Sequence, residues 1–210
     1  MDKKKERLAR KIYLYLAGLF ITSLVVSNLI FQKFFYWHPF DIEIFDNKIF
    51  VLSVGILPYP ITFLITDIIS EIYGKKKAVQ VVITGIFASF FSIILLLVAG
   101  ALPAIENSPI NDTVFKQVFS MTPLAVTASM LAYFCAQLVD IKIFHFWKNL
   151  TKGKLLWLRN NFSTFSSQFI DSSLVIGLLC SFNIISWDLF WGLVLSAVIF
   201  KILIAIIDTP

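Results

Sequence analysis

At 210 residues, 58% of them hydrophobic and only 15% charged, with 22 Phe and a mean hydropathy of +0.83, the chain is too apolar for a water-soluble domain. Apolar runs near or above the roughly 18-residue length of a spanning helix recur along it, so the whole chain reads as one all-α, polytopic membrane domain with six spans. The net charge of +5 does not point to nucleic acid, because the basic residues cluster in short loops beside apolar runs, where they set membrane orientation.

Residues 1–11, MDKKKERLARK, form a basic amphiphilic head before a first span over about 12–35 that contains Ser27 and Asn28. That run is too long for the apolar part of a signal peptide and no small-residue cleavage site follows it, so it is expected to stay as a helix. Tyr36 to Lys48, with Trp37, His38, Asp41, Glu43 and Asp46, reads as a solvated loop. The second span, about 49–73, holds Pro58 and Pro60 in its first half and the acids Asp67 and Glu71 one turn apart in its second. Each proline removes a helical hydrogen bond, so a kink or unwound turn is expected there, leaving carbonyls that need a protein-lined or wet surrounding. An acid deep in a spanning helix costs roughly 2.5–3.5 kcal/mol on insertion scales, so such residues normally face a protein interior or watery cavity.

The third span, about 78–102, carries little beyond Thr84, Ser89 and Ser92 and is expected to pack and seal. Pro103 to Ser120 is an outer loop with room for a short surface helix. The fourth span, about 121–146, places Gln137 and Asp140 three residues apart, hence on one helix face. The fifth, about 160–182, begins at Asn160 and repeats that spacing with Gln168 and Asp171. The sixth, about 187–207, has Lys201 as the one charge in its body.

On this topology the head, Lys75 to Lys77, and the loop with Lys148, Lys152, Lys154 and Arg159 fall on one side, against Lys33, Lys48 and Lys116 on the other. The asymmetry places both termini in the cytoplasm. Set by depth, Asp67, Glu71, Gln137, Asp140, Gln168 and Asp171 can line one cavity between spans two, four and five. The repeated Gln-x-x-Asp on helices of opposite direction resembles an inverted repeat, where transporters place their sites. Structural readings stand beside this one. Glu71 and Asp140 can be helix-end acids paired with Lys75, Lys142 or Arg159, and Asp67 and Asp171 can be interhelical pairing groups, with Lys201 as a candidate partner for either.

Carboxylates and carboxamides match the edge of a planar heterocycle, and carboxylates also hold a cationic amine. Trp157 is placed to stack on such a ring or to sit in the interfacial aromatic belt. Enzyme readings find little support: His38 and His145 fall on opposite sides, Cys135 and Cys180 lie in apolar runs without metal-ligand spacing, and no GxxxxGK[ST] phosphate loop is present. No catalytic residue, metal or cofactor is therefore assigned, and energy must come from gradients or partners.

Three motifs in order carry a resemblance. TDIISEIYGKKKA from Thr66 to Ala78, AQLVD ending at Asp140, and LLWLRNNFSTFSSQFIDSS from Leu155 to Ser173 resemble the queuosine precursor transporter family, also called the vitamin uptake transporter family, over about Leu57 to Pro210. The resemblance implies a six-helix inner-membrane protein, similar in fold to the substrate-binding components of energy-coupling-factor transporters, that imports 7-deazaguanine precursors or queuine for tRNA modification. The implied partners are a planar nitrogenous base and the lipid bilayer, with a homo-oligomer left open; the alternative is a substrate-binding subunit of an ATP-driven uptake complex. The family's polar motifs fall on Asp67, Glu71, Gln137, Asp140, Arg159, Asn160, Gln168 and Asp171. Separately from the resemblance, Trp157, Arg159, Pro58 and Pro60 are candidate stacking or gating positions. Two positions depart from the family pattern: Leu124 follows Pro123 where Arg is usual, and Phe162 stands where Gly often follows the paired asparagines. Thr209 and Pro210 read as a naturally short end.

Overall fold

The computed structural model describes residues 3–36, 43–44, 47–48, 51–151 and 156–208. Seven α-helices occur among them: α1 Lys3–Ile30, α2 Tyr59–Tyr73, α3 Lys75–Ala101, α4 Asp112–Phe119, α5 Thr122–Leu150, α6 Leu156–Ser181 and α7 Phe190–Asp208. Short strands β1 Phe34–Tyr36 and β4 Val51–Ser53 pair with each other, and β2 Glu43–Ile44 forms an antiparallel hairpin with β3 Asn47–Lys48, Glu43 opposite Lys48. The expected solvated loop therefore has local strand structure at both of its ends and in the hairpin, although Trp37, His38, Asp41 and Asp46 lie outside the described residues. Helices α1 and α3, and α7 with the turn before it, are long and apolar enough to cross a membrane, and shorter apolar helical stretches lie at 54–66 and 165–181. The chain is an all-α polytopic membrane protein.

The chain packs as two compact units, the first made of residues 1–34 and 53–123 and the second of 35–52 and 124–210. In the first, α1, α2 and α3 pack on one another through Phe20, Ile65, Ile69, Ala78 and Val81, while Phe87, Phe91 and Ile94 on α3 remain exposed on the side available to lipid. Gly74 at φ +85° both ends α2 and begins α3, a backbone conformation that a side chain would strain. At the basic end of α1 the Tyr73 hydroxyl donates to the Ala9 carbonyl at 2.8 Å, and the Tyr13 and Tyr73 rings lie 5.3 Å apart. The Lys77 ammonium sits 5.5 Å from the centre of the Tyr13 ring. The short surface helix expected in the outer loop is α4, capped by Asn111, whose side-chain oxygen accepts the Val114 N–H at 2.9 Å.

The second span differs from its expected form. Helix begins only at Tyr59, and residues 51–57 are a strand followed by a tight 3-10 turn, Val54–Ile56. Pro58 is the residue that caps α2 and Pro60 lies in its first turn, where the backbone N–H has no intrahelical partner to lose. The prolines start a helix; they do not break one. At 15 residues α2 is roughly 22 Å long, short of the ~30 Å hydrocarbon core.

The non-helical backbone before it is satisfied by the end of α1 and the residues just beyond. The Ser27 hydroxyl donates to the Gly55 carbonyl, the Ser53 hydroxyl donates to the Phe31 carbonyl at 2.5 Å, and the Val54 N–H donates to the Lys33 carbonyl at 2.7 Å. Such pairing is what irregular backbone at membrane depth requires. Gly55 lies so close to α1 that an added Cβ would meet the Ser27 carbonyl oxygen at 2.7 Å and Phe31 Cα at 3.0 Å.

In the second unit α6 and α7 form a helical hairpin. Helix α6 ends with Asn183 at φ +57°, the Ile184 N–H reaching back to the Leu179 carbonyl and the Asn183 N–H to that of Cys180, each at 2.9 Å. This pair of bonds satisfies the last carbonyls and turns the chain sharply. Ser186 then caps the short turn Trp187–Leu189 that leads into α7, and β3 packs against α7.

Candidate functional site

Helix α6 carries polar side chains where a lipid-embedded helix would normally be apolar. Ser167, Gln168, Asp171 and Ser172 fall within one face by the 3.6-residue repeat, and all four are buried, while Phe169 and Leu174 point outward and are exposed. The helix is thus polar inward and apolar outward, the arrangement expected of a polar group that must avoid lipid. The packed side of α7 consists of Leu193, Val194, Ser196 and Val198, followed by Lys201. Ser196 satisfies its hydroxyl locally by donating to the Gly192 carbonyl at 2.5 Å.

Lys201 lies roughly 17 Å along α7 from Phe190, deep in a helix of spanning length. Its ammonium donates to Asp171 Oδ2 at 2.7 Å and to the Ser172 hydroxyl at 3.0 Å. The lysine side chain is 7% exposed and the aspartate 11%. Neither charge could stay so deep alone, and each is the other's compensation. The second contact matters because an ammonium with three donors needs more than one acceptor once water is removed. Of the two readings left open for Asp171, the pairing with Lys201 is present in the structure, and it puts a neutral, strongly dipolar group on the α6 face beside Gln168. Among the described residues, Ser173, next in sequence, has a buried hydroxyl with no hydrogen-bond partner, as does Thr122.

The other expected residues are placed by their helices. Asp67 and Glu71 lie four residues apart on α2, in the first unit. Gln137 and Asp140 lie on α5, and Trp157, Arg159 and Asn160 in the opening turns of α6, all in the second unit. The side chains of these seven lie outside the described residues. Gln168 and Asp171 are therefore the two expected polar site residues whose side chains are described, both buried and three residues apart on α6. Pro58 and Pro60 stand at the start of α2, as above. Lys201 was not among the expected binding residues. Its only signal was a single basic residue inside an apolar run, since nothing in local spacing says which acid on another helix it will meet.

Comparison with known proteins places residues 53–210 in a match to the family described as "Putative vitamin uptake transporter". A protein of Bacillus subtilis (strain 168) described as "Probable queuosine precursor transporter" is 25% identical over 159 residues, which is 75% of this chain and 69% of that protein. No solved structure matches the chain.

Proposed function

From the premise that the chain belongs to the vitamin uptake transporter family, we propose that it imports queuosine precursors, 7-deazaguanine bases or queuine, by secondary or facilitated transport. The observation that carries this reading is the buried polar face of α6, where Gln168 and the Asp171–Lys201 pair stand in a helix otherwise suited to lipid. A flat nitrogenous base offers donors and acceptors along one edge, and a carboxamide offers one of each in the same plane. Gln168 holds that edge, Asp171 contributes a fixed carboxylate, and the membrane supplies the water-poor surroundings in which such hydrogen bonds discriminate well. The name of the Bacillus subtilis relative points to the same substrate class.

The remaining polar residues take supporting roles in this proposal. Gln137, Asp140 and Asn160 add amide and acid contacts, Trp157 stacks on the ring, and Arg159 gates the same end of α6. Asp67 and Glu71 hold a coupling proton or a cationic group, and the Pro58–Pro60 entry to α2 is the place where that helix moves. In this proposal the chain resides in the inner membrane with both termini in the cytoplasm, an orientation that the distribution of Lys and Arg supports.

Uptake of radiolabelled precursor by the purified chain in liposomes, with and without an ion gradient, tests the proposal. Transport is expected from the chain alone, and Gln168→Ala and Asp171→Ala are expected to lose it. Wild-type uptake by both variants would remove the assigned site. Uptake that appears only when nucleotide-binding subunits and ATP are added would make the chain a substrate-binding subunit instead.

A further inference from the structure

Helix α1 is longer than a bilayer needs. Its 28 residues rise roughly 42 Å against a hydrocarbon core of ~30 Å, and the excess of about 12 Å is the length of Lys3–Lys11, the segment KKKERLARK. That segment is helical from its start and strapped to the junction of α2 and α3: the Tyr73 hydroxyl donates to the Ala9 carbonyl at 2.8 Å, and the Lys77 ammonium stands over the Tyr13 ring at 5.5 Å. Its charges are thus held at fixed heights. Arg10 is matched at 2.5 Å by Glu6, the one acid of the segment. Arg7 and Lys11, one turn apart, and Lys5 are exposed and have no ion-pair partner among the described residues. Where Tyr13, Leu16, Ala17 and Phe20 face α2 and α3, Leu8, Ile12, Tyr15 and Leu19 recur every three to four residues on the opposite side and are 41% to 68% exposed. Lys5 and Lys11 stand three positions to either side of Leu8, so they border this apolar stripe where it ends.

We propose that the head of α1 is a binding site for an anionic phospholipid: Arg7 and Lys11 hold the headgroup phosphate, Lys5 closes on it from the other side of the stripe, and an acyl chain runs down Leu8, Ile12, Tyr15 and Leu19. A guanidinium forks onto phosphate oxygens, and an ammonium adds a point charge beside it. Each Lys or Arg held at a membrane surface strengthens the attraction to anionic lipid by about fivefold. A zwitterionic headgroup brings its own ammonium, which the three cations repel. The same residues orient the chain as it inserts. A topogenic signal has no further work in the folded protein, whereas a lipid site stays measurable in the purified chain. Lipid binding at this end is independent of what the chain carries.

The test is native mass spectrometry of the purified full chain in detergent, titrated with phosphatidylglycerol or with phosphatidylcholine of the same acyl chains, read as the ratio of dissociation constants for the first bound lipid. Wild type is expected to prefer phosphatidylglycerol by at least about fivefold. The double variant Arg7→Gln with Lys11→Gln is expected to lose that preference, and the exchange Arg7→Lys with Lys11→Arg, which keeps both charges, to retain most of it. Lys33→Gln with Lys116→Gln removes the same charge from exposed positions outside the head and is expected to leave the ratio unchanged. The melting temperature without added lipid checks that each variant is folded; Lys11→Gln alone is carried alongside in case the double variant is not, with a smaller loss expected. Equal binding of the two lipids by the wild type overturns the proposal. So does an unchanged ratio in the Arg7 and Lys11 variants, or an equal loss in the Lys33 and Lys116 pair, which would make the preference one of net charge and not of a site.

Discussion

Replacing Gly55 with Ala puts a methyl group into backbone. The ideal Cβ would lie 2.7 Å from the Ser27 carbonyl oxygen and 3.0 Å from both Cα and Cβ of Phe31, where ordinary contact begins near 3.4 Å. Relief therefore needs a separation of about 0.7 Å between the 53–55 segment and α1, the difference between those two distances. A shift of that size stretches the bonds that hold the segment, among them Val54 N–H to Lys33 at 2.7 Å and the Ser53 hydroxyl to Phe31 at 2.5 Å. Overpacking of this kind costs about 1–3 kcal/mol, and each weakened hydrogen bond adds about 1 kcal/mol, well above the gain from stiffening the unfolded chain. The melting temperature in detergent should fall by roughly 5–15 °C.

Two other glycines serve as controls. A Cβ at Gly18 meets nothing within 4 Å, so Gly18→Ala should match or slightly exceed the wild type. A Cβ at Gly85 meets Phe20 Cε1 at 2.8 Å and Leu24 Cδ2 at 3.0 Å, the movable ends of side chains, so Gly85→Ala should fall between the two. If Gly55→Ala melts no lower than Gly18→Ala, the close approach of the 53–55 segment to α1 is wrong.

The Asp171–Lys201 pair should appear in a double-mutant cycle read by denaturant unfolding: Asp171→Ala and Lys201→Ala each cost about 3–5 kcal/mol by stranding the other charge, and the double variant costs clearly less than their sum. Strict additivity would mean the two do not interact. Tyr73→Phe removes the hydroxyl that donates to the Ala9 carbonyl at 2.8 Å and should cost about 0.5–1.5 kcal/mol, with faster amide exchange in the first turns of α1. Tyr13→Phe, whose hydroxyl reaches the Lys77 carbonyl only at 3.5 Å, should cost less, and the reverse order would contradict the geometry.

What could be read in advance followed the reach of each signal along the chain. The polar positions of α6 stood out because Gln168 and Asp171 interrupt an apolar run at helical spacing, and burial of that face follows from the cost of exposing it to lipid. The partner of Asp171 lies 30 residues away, across a helical hairpin, so Lys201 could be offered only as a partner for either Asp67 or Asp171. Pro58 and Pro60 misled because a proline in the first turn of a helix and one in its middle look alike when the residues before them are equally apolar. The run 49–57 is rich in residues that suit a strand as well as a helix, and the absence of a polar cap gave no sign of where α2 starts. The tight seat of Gly55 had no signature at all, since it depends on the surface of another helix.

The family match opens at residue 53, yet the groups that pair with the polar main-chain and side-chain atoms of residues 53–55 belong to Ser27, Phe31 and Lys33, well upstream of it. The first helix is therefore no detachable leader for that region. A chimera or truncation joined at the family boundary would present a bare carbonyl and an idle hydroxyl to hydrocarbon, and it could be rescued only by a replacement helix that brings a serine or threonine to the same height.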